Sequence, residues 1–312
     1  MNGPLSQVLL RRSTAYEHQS VAGFVEDSLR LLLGVSTLHG RTVLLKPNLI
    51  SASGPDHAVT HPRFIAAVAA VLRDCGARVR LGDSPAFGSA TRVCARRGID
   101  RLLADLGVEI VDFDHAELCT LSSGLQLPVA REALHCDLLV GLPKVKAHNQ
   151  MYVTLGVKNC FGVVTGVRKA MLHMSHGASH QGFAEILCEL PGLLPRQLHL
   201  ADGIVAMHRS GPLDGDPLPL YCMAAAASPV ALDSALLAVL ELDPRQSPLW
   251  LAAARSQMPG ADPSHLVFPG ETPGAFHGHG FIAPAELNPV RFSLLRLMRG
   301  MGRRVLLRLG RR

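Results

Sequence analysis

Short runs of β-branched residues and leucine alternate along this chain with alanine- and leucine-rich stretches whose apolar positions recur at helical spacing. That alternation predicts a parallel sheet covered by helices. Thr42–Leu45 is a continuous apolar strand signal ending in Lys46-Pro47-Asn48. Pro62 then opens a predicted helix to about Asp74, with Phe64, Ile65, Val68 and Leu72 on one face and Gly76 just past its end. A second strand, Ala77–Leu81, ends in Gly82-Asp83-Ser84-Pro85. Two short helices, about 89–97 and 100–106, lead to a strand at Val108–Asp112. A fourth strand, Asp137–Leu142, ends in Pro143-Lys144-Val145-Lys146-Ala147-His148.

Further along, Thr154–Val164 is interrupted by glycine, Gly182–Leu190 and Val230–Leu240 read as helices, and Leu198–Ala201 reads as a strand ending in Asp202-Gly203. The expected fold class is α/β: a mostly parallel sheet with helices on both faces, with a pair of Rossmann-like halves as one version of it. The expected organisation is an N-terminal segment (1–39), an α/β core (40–255), a Pro/Gly/His-rich region looping over the surface (256–290) and an Arg-rich tail (291–312). No internal repeat is visible.

Composition narrows the function classes. The chain has 312 residues, 48% of them hydrophobic and 18% charged, which excludes disorder and leaves ample material for a buried core. Its net charge of +6 comes from the end of the chain. Residues 291–312 hold eight Arg and no acid, so the first 290 residues carry 23 basic against 25 acidic side chains. A near-neutral body argues against a nucleic-acid partner. The seven Cys lie at least 17 residues apart, so no local pair can hold zinc or an iron–sulfur cluster. Free thiols, the lack of a leader signal and the lack of an apolar run of membrane length make the cytoplasm the expected compartment.

In open parallel sheets ligands bind outside the carboxyl ends of the strands. Here those ends carry Lys46 and Asn48, Asp83 and Ser84, Lys144, Lys146 and His148, and Asp202. The lysines sharpen the pattern, because the chain has 26 Arg but only five Lys: Lys46, Lys144, Lys146, Lys158 and Lys169. Lysine brings a compact charge that can lose its proton when buried, which suits anion binding, Schiff-base formation or proton transfer. The other reading is a handful of solvated surface amines. His173, His176 and His180 fall at helical spacing, so His173 and His176 with Asp202 form a candidate metal set, and His148 or His176 a candidate proton carrier. Asp83 and Asp202 can orient a partner or cap a turn, and Asp233, inside an apolar helix, needs a Lys or backbone partner. The run Gly156–Gly166 fits no standard nucleotide motif; its glycines either approach an anion or pack against a strand.

The ordered set Lys46-Pro47-Asn48, Gly82-Asp83-Ser84-Pro85, Leu142 to His148, Thr154 to Gly162, Asp202-Gly203-Ile204 and Pro229 to Asp233 resembles the bacterial and archaeal family catalogued as domain of unknown function 362, over about residues 40–245. Longer members often carry a ferredoxin-like module with two four-iron clusters, so the resemblance implies oxidoreduction. This chain lacks that module and would need a separate redox partner. A fold-level analogy to racemases that hold a nickel-containing nucleotide through Lys and His gives an alternative.

On a helical wheel of the tail, Leu294, Met298, Met301, Val305 and Leu309 oppose Arg296, Arg299, Arg303, Arg304 and Arg308. A basic amphipathic C-terminal helix of this kind suits an anionic membrane surface at the inner face of the membrane. The leading expectation is an α/β enzyme binding a small anionic substrate, a phosphate-bearing cofactor or a divalent metal. Its catalytic candidates are His148, Lys158 and His176. Its binding candidates are Lys46, Asn48, Asp83, Ser84, Lys144, Lys146, Asn159 and Lys169. A non-catalytic scaffold recruited to membranes by the tail is the competing class.

Overall fold

The computed structural model describes residues 4–165 and 179–288. In chain order the strands are β1 (Val8–Arg12), β2 (Thr42–Pro47), β3 (Arg78–Asp83), β4 (Glu109–Asp112), β5 (Ala116–Thr120), β6 (Gln126–Ala130), β7 (Leu138–Leu142), β8 (Lys144–His148), β9 (Tyr152–Thr154), β10 (Gln197–His208) and β11 (Asp216–Ala226). The helices that matter below are α1 (His18–Ser28), α2 (Pro62–Asp74), α3 (Ala90–Arg97), α4 (Ile99–Ala104), α5 (Arg131–Leu134), α6 (Gly156–Cys160), α7 (His180–Leu193), α8 (Pro229–Val239) and α9 (Pro248–Arg255).

β2 lies inside the sheet and faces both ways. Val43 and Leu45 enter one apolar cluster with α1 and α2, while Leu44 enters a second with α7 and α9. Burial on both faces is what a parallel strand requires. The main sheet runs β1-β11-β10-β7-β2-β3-β4, with β8 and β9 attached to β10. The pairings from β10 through β4 are parallel, and those of β1 with β11 and β11 with β10 are antiparallel. The expected mostly parallel α/β architecture is therefore present, and the variant with two Rossmann-like halves resolves to one continuous sheet. β10 is the reason: its 12 residues pair β7 at their start and β8 further on.

That long strand corrects two expectations. Asp202-Gly203 does not end β10 but marks the place where it leaves β7, with the Asp202 N–H donating to Pro143 O at 2.9 Å. Lys144–His148, expected to follow the end of a strand, is itself a strand, because Pro143 only breaks the ladder locally before β8 pairs with β10 and β9. β11 escapes the sequence pattern because it contains Pro217 and Pro219. Both lie where β11 pairs with β10 alone, beyond its contact with β1, so the missing donors cost nothing there.

Residues 1–39 supply β1 and α1 to the sheet and its core, and 256–288 wraps the surface with Phe276 and Phe281 buried against the α8 cluster. The Arg-rich tail, including the predicted amphipathic helix, lies outside the described residues, as do Lys169, His173 and His176.

Candidate functional site at the strand ends

β2, β3 and β7 are parallel, so their carboxyl ends open on one edge of the sheet and bring Lys46, Asp83 and the Lys144–His148 strand together. Three of the lysines are buried there, each only 1% exposed. An ammonium in such a place must be fully hydrogen-bonded. Lys46 Nζ donates to Asp83 Oδ1 at 2.7 Å, to Pro47 O at 2.9 Å and to Asn159 Oδ1 at 3.3 Å. Lys144 Nζ donates to Asp202 Oδ2 at 2.7 Å and to Tyr16 OH at 3.1 Å. Two lysines are thus matched to two carboxylates.

Lys146 differs. Its Nζ donates to Ala58 O at 2.7 Å, Asn48 Oδ1 at 3.1 Å and Pro212 O at 3.3 Å, all neutral oxygens. Burial, reinforced by the charges of Lys158 and Lys144, pulls its pKa down to about 7. Lys144 is also lowered by burial, with Asp202 opposing the shift. Lys46, Lys144 and Lys146 share one region, and each already has protein partners.

The glycine-interrupted run wraps around this centre. A Cβ on Gly162 would lie 2.2 Å from both Lys46 Nζ and Asp83 Oδ1, so the residue must be glycine for the chain to cross the ion pair. Ser84 N donates to Gly162 O at 2.9 Å, tying the end of β3 to the same turn. α6 begins on Asp233 of α8, whose carboxyl accepts the Gly156 N–H at 2.6 Å and the Val157 N–H at 3.3 Å. These are the backbone partners that its burial demanded. Desolvation nevertheless pushes Asp233 up to about 8, against the pull of those two amides. α6 in turn carries Asn159, bonded to Lys46, and the half-buried Lys158, whose ammonium stands 4.8 Å from the Phe161 ring centre and 5.9 Å from that of Phe183.

His148 Nδ1 accepts the N–H groups of Gln150 and Met151 at 3.1 and 3.2 Å. A ring nitrogen that accepts two amides carries no proton, so the neutral imidazole holds its hydrogen on Nε2. His148 is thereby arranged as a donor. Asp202 is saturated: Oδ1 accepts from Tyr16 OH at 2.7 Å, and Oδ2 accepts the His61 N–H at 2.9 Å in addition to Lys144. Among the described residues no three His, Cys, Asp or Glu side chains gather as a ligand set for a metal.

Sequence reasoning missed Tyr16 and His61. Their rings stack at 3.6 Å and 7° beside the Lys144–Asp202 pair, and burial with Asp202 nearby drives the Tyr16 pKa upward. Tyr16 belongs to the segment preceding α1, where no strand end pointed; its only signal was scarcity, as one of three tyrosines. His199, fully buried behind Lys46, is pushed down to about 3 and stays neutral.

A thylakoid-associated protein of Synechocystis sp. is 36% identical to this chain over 301 residues, covering 95% of this chain and 93% of the relative. Among solved structures, the lactate racemase apoprotein from Thermoanaerobacterium thermosaccharolyticum aligns with a TM-score of 0.44 and 14% identity, covering 71% of this chain and 54% of that one. A protein from Thermotoga maritima aligns with a TM-score of 0.43 and 10% identity, over 67% and 56% of the two chains. Residues 43–238 match the family described as Domain of unknown function (DUF362), and the chain belongs to that family.

Proposed function

We propose that this chain is an enzyme that binds a small anionic substrate, or the phosphate of a cofactor, at the carboxyl ends of β2, β3 and β7. One observation carries the reading: Lys146 is a buried amine held only by neutral oxygens, flanked by the charges of Lys144 and Lys158. A negative guest would relieve that repulsion, and an amine near pH 7 is suited to moving a proton. In this reading Lys158 meets the anion, Lys146, whose three N–H bonds go to protein oxygens, adds its charge from behind, Asn48 and Ser84 border the anion, and His148 donates from Nε2. Asp83, Asn159 and Asp202 hold Lys46 and Lys144 in place, and Lys169 and His176 are further candidates from 166–178. A divalent metal would draw on His173 and His176, since both oxygens of Asp202 already accept strong donors. The oxidoreduction implied by iron–sulfur-bearing relatives would take electrons from a separate partner, the seven cysteines being dispersed free thiols.

The test is native purification followed by small-molecule mass spectrometry and metal analysis. Wild type is expected to carry, or to be thermally stabilised by, a small acid such as oxalate, and Lys158→Ala and Lys146→Met to lose this. Binding should weaken as pH rises through about 7, because Lys146 sheds its charge there, and Lys146→Met should flatten that dependence. Equal ligand retention in all three proteins rejects the assignment.

A second reading concerns location. The relative named as thylakoid-associated covers 95% of this chain, and residues 291–312 combine eight Arg with no acid. We infer peripheral attachment of that tail to an anionic bilayer, each basic side chain near the surface contributing about 1 kcal/mol. Among the described residues no helix is long and apolar enough to cross a membrane. Vesicles rich in phosphatidylglycerol should co-sediment the full chain and release a protein ending at 290; equal binding by both disproves the tail's role.

A further inference from the structure

The loop that follows β2 has two sides. One side supplies Asn48 and Ala58 to Lys146. On the other, Ala52 and Ser53 face Arg92, Ala95 and Arg96 of α3 across an open cleft of about 400 Å³. Arg92 and Arg96 are exposed and one helical turn apart, a spacing at which like charges repel. Neither has an acidic partner among the described residues, and no acid lines the cleft.

The opposite wall is fixed in position. Arg97, next along α3, is buried against the loop, donating to Asp56 Oδ1 at 2.7 Å, to Gly54 O at 3.2 Å and to Ser51 O at 3.3 Å. Ser53 N donates to Ser51 Oγ at 3.1 Å, which tightens the turn. Ser51 also bridges to Phe87, whose ring is 63% exposed nearby. A rigid wall bearing a hydroxyl, two unpaired guanidinium groups opposite and no competing carboxylate make a receptor for a tetrahedral oxyanion.

We propose that this cleft is an anion site distinct from the lysine centre, taking the phosphate group of a small molecule through Arg92 and Arg96. The same chemistry is offered by a soluble phosphate ester and by a phospholipid headgroup, so the experiment separates them. Inorganic pyrophosphate is titrated calorimetrically into wild type, Arg92→Ser/Arg96→Ser, Lys158→Ala and the triple variant that combines them, with melting curves recorded in parallel. In Lys158→Ala, where the lysine centre is disabled, pyrophosphate binding and the rise in melting temperature are expected to persist, and the triple variant is expected to bind at least tenfold more weakly than Lys158→Ala and to lose the rise. Both arginines are exposed, so the double variant should fold. Pyrophosphate binding that survives the arginine changes in the Lys158→Ala background, or that vanishes in Lys158→Ala alone, overturns the proposal. Saturation by phosphatidic acid vesicles but not by pyrophosphate, abolished in the double variant, would assign the phosphate to a lipid headgroup; binding of neither probe by wild type would refute the site.

Discussion

Asp202→Ala is expected to remove about 3–5 kcal/mol of stability, because it leaves Lys144 buried without its counter-charge. The pair is 1% and 0% exposed with an N–O distance of 2.7 Å, so water cannot step in to solvate the stranded ammonium. The loss extends beyond the pair. Asp202 also accepts from Tyr16 OH and from the His61 N–H, and it joins the β8–β10 junction to the segment before α1 and to the start of α2. Urea denaturation followed by circular dichroism measures the change at neutral pH. The double change Lys144→Met/Asp202→Leu should recover the part owed to the stranded charge but not the part owed to the Tyr16 hydroxyl and the His61 N–H, which still lack their acceptor. A loss below about 1 kcal/mol for Asp202→Ala would put the pair in the class of exposed ion pairs and undo the argument.

The same pair shows what could be read from the sequence and what could not. Parallel strands ending in polar residues announced themselves, because β2 and β7 are buried on both faces and their interiors are apolar, while β3 still alternates Val79 and Leu81 with Arg78 and Arg80. α2 was legible from end to end, with Pro62 at its start and an apolar face at helical spacing. The rarity of lysine drew attention to Lys46, Lys144 and Lys146, all three of them buried. What spacing cannot tell is which partner a buried charge chooses. Lys46 reaches Asp83 on the neighbouring strand, but Lys144 reaches Asp202 across 58 positions and Tyr16 across 128. Asp202 was placed at a strand end because Gly203 follows it. In the structure that glycine lies within β10, next to an irregularity in its pairing with β11, and a Cβ there would lie 2.7 Å from Cys222 O. The glycine run was undecidable for a similar reason: only the crossing of Gly162 over Lys46 and Asp83 explains why a side chain is forbidden.

Asp233→Asn is expected to change how stability depends on pH. The Asp233 carboxyl is raised from its ordinary 3.8 to about 8 by burial, so the folded protein holds a proton there that the unfolded chain releases above pH 4. The stability this contributes is complete below about pH 4 and disappears as pH climbs to about 8, a span on the order of 5 kcal/mol. Lys146 acts in the opposite sense and at higher pH: its folded value of about 7 lies below the ordinary lysine value of 10.5, so its contribution grows as pH rises from 7. Buried histidines such as His199, whose charged form is disfavoured, also add stability as pH rises through the acid range. The informative quantity is therefore the difference between wild type and Asp233→Asn, in which these other groups cancel. Asparagine can still accept the Gly156 and Val157 amides, but it does not titrate. The difference should move in favour of the variant steadily from pH 4 to pH 8, whatever its offset; parallel curves would mean that Asp233 titrates as an ordinary carboxylate. Because Asp233 holds the first turn of α6, the cost of ionising it falls on the helix that carries Lys158 and Asn159. Beyond the loss that Lys146 causes in both proteins near pH 7, ligand binding at the lysine centre should fall less steeply above about pH 8 in Asp233→Asn than in wild type, linking a buried carboxyl on α8 to the competence of the strand-end site.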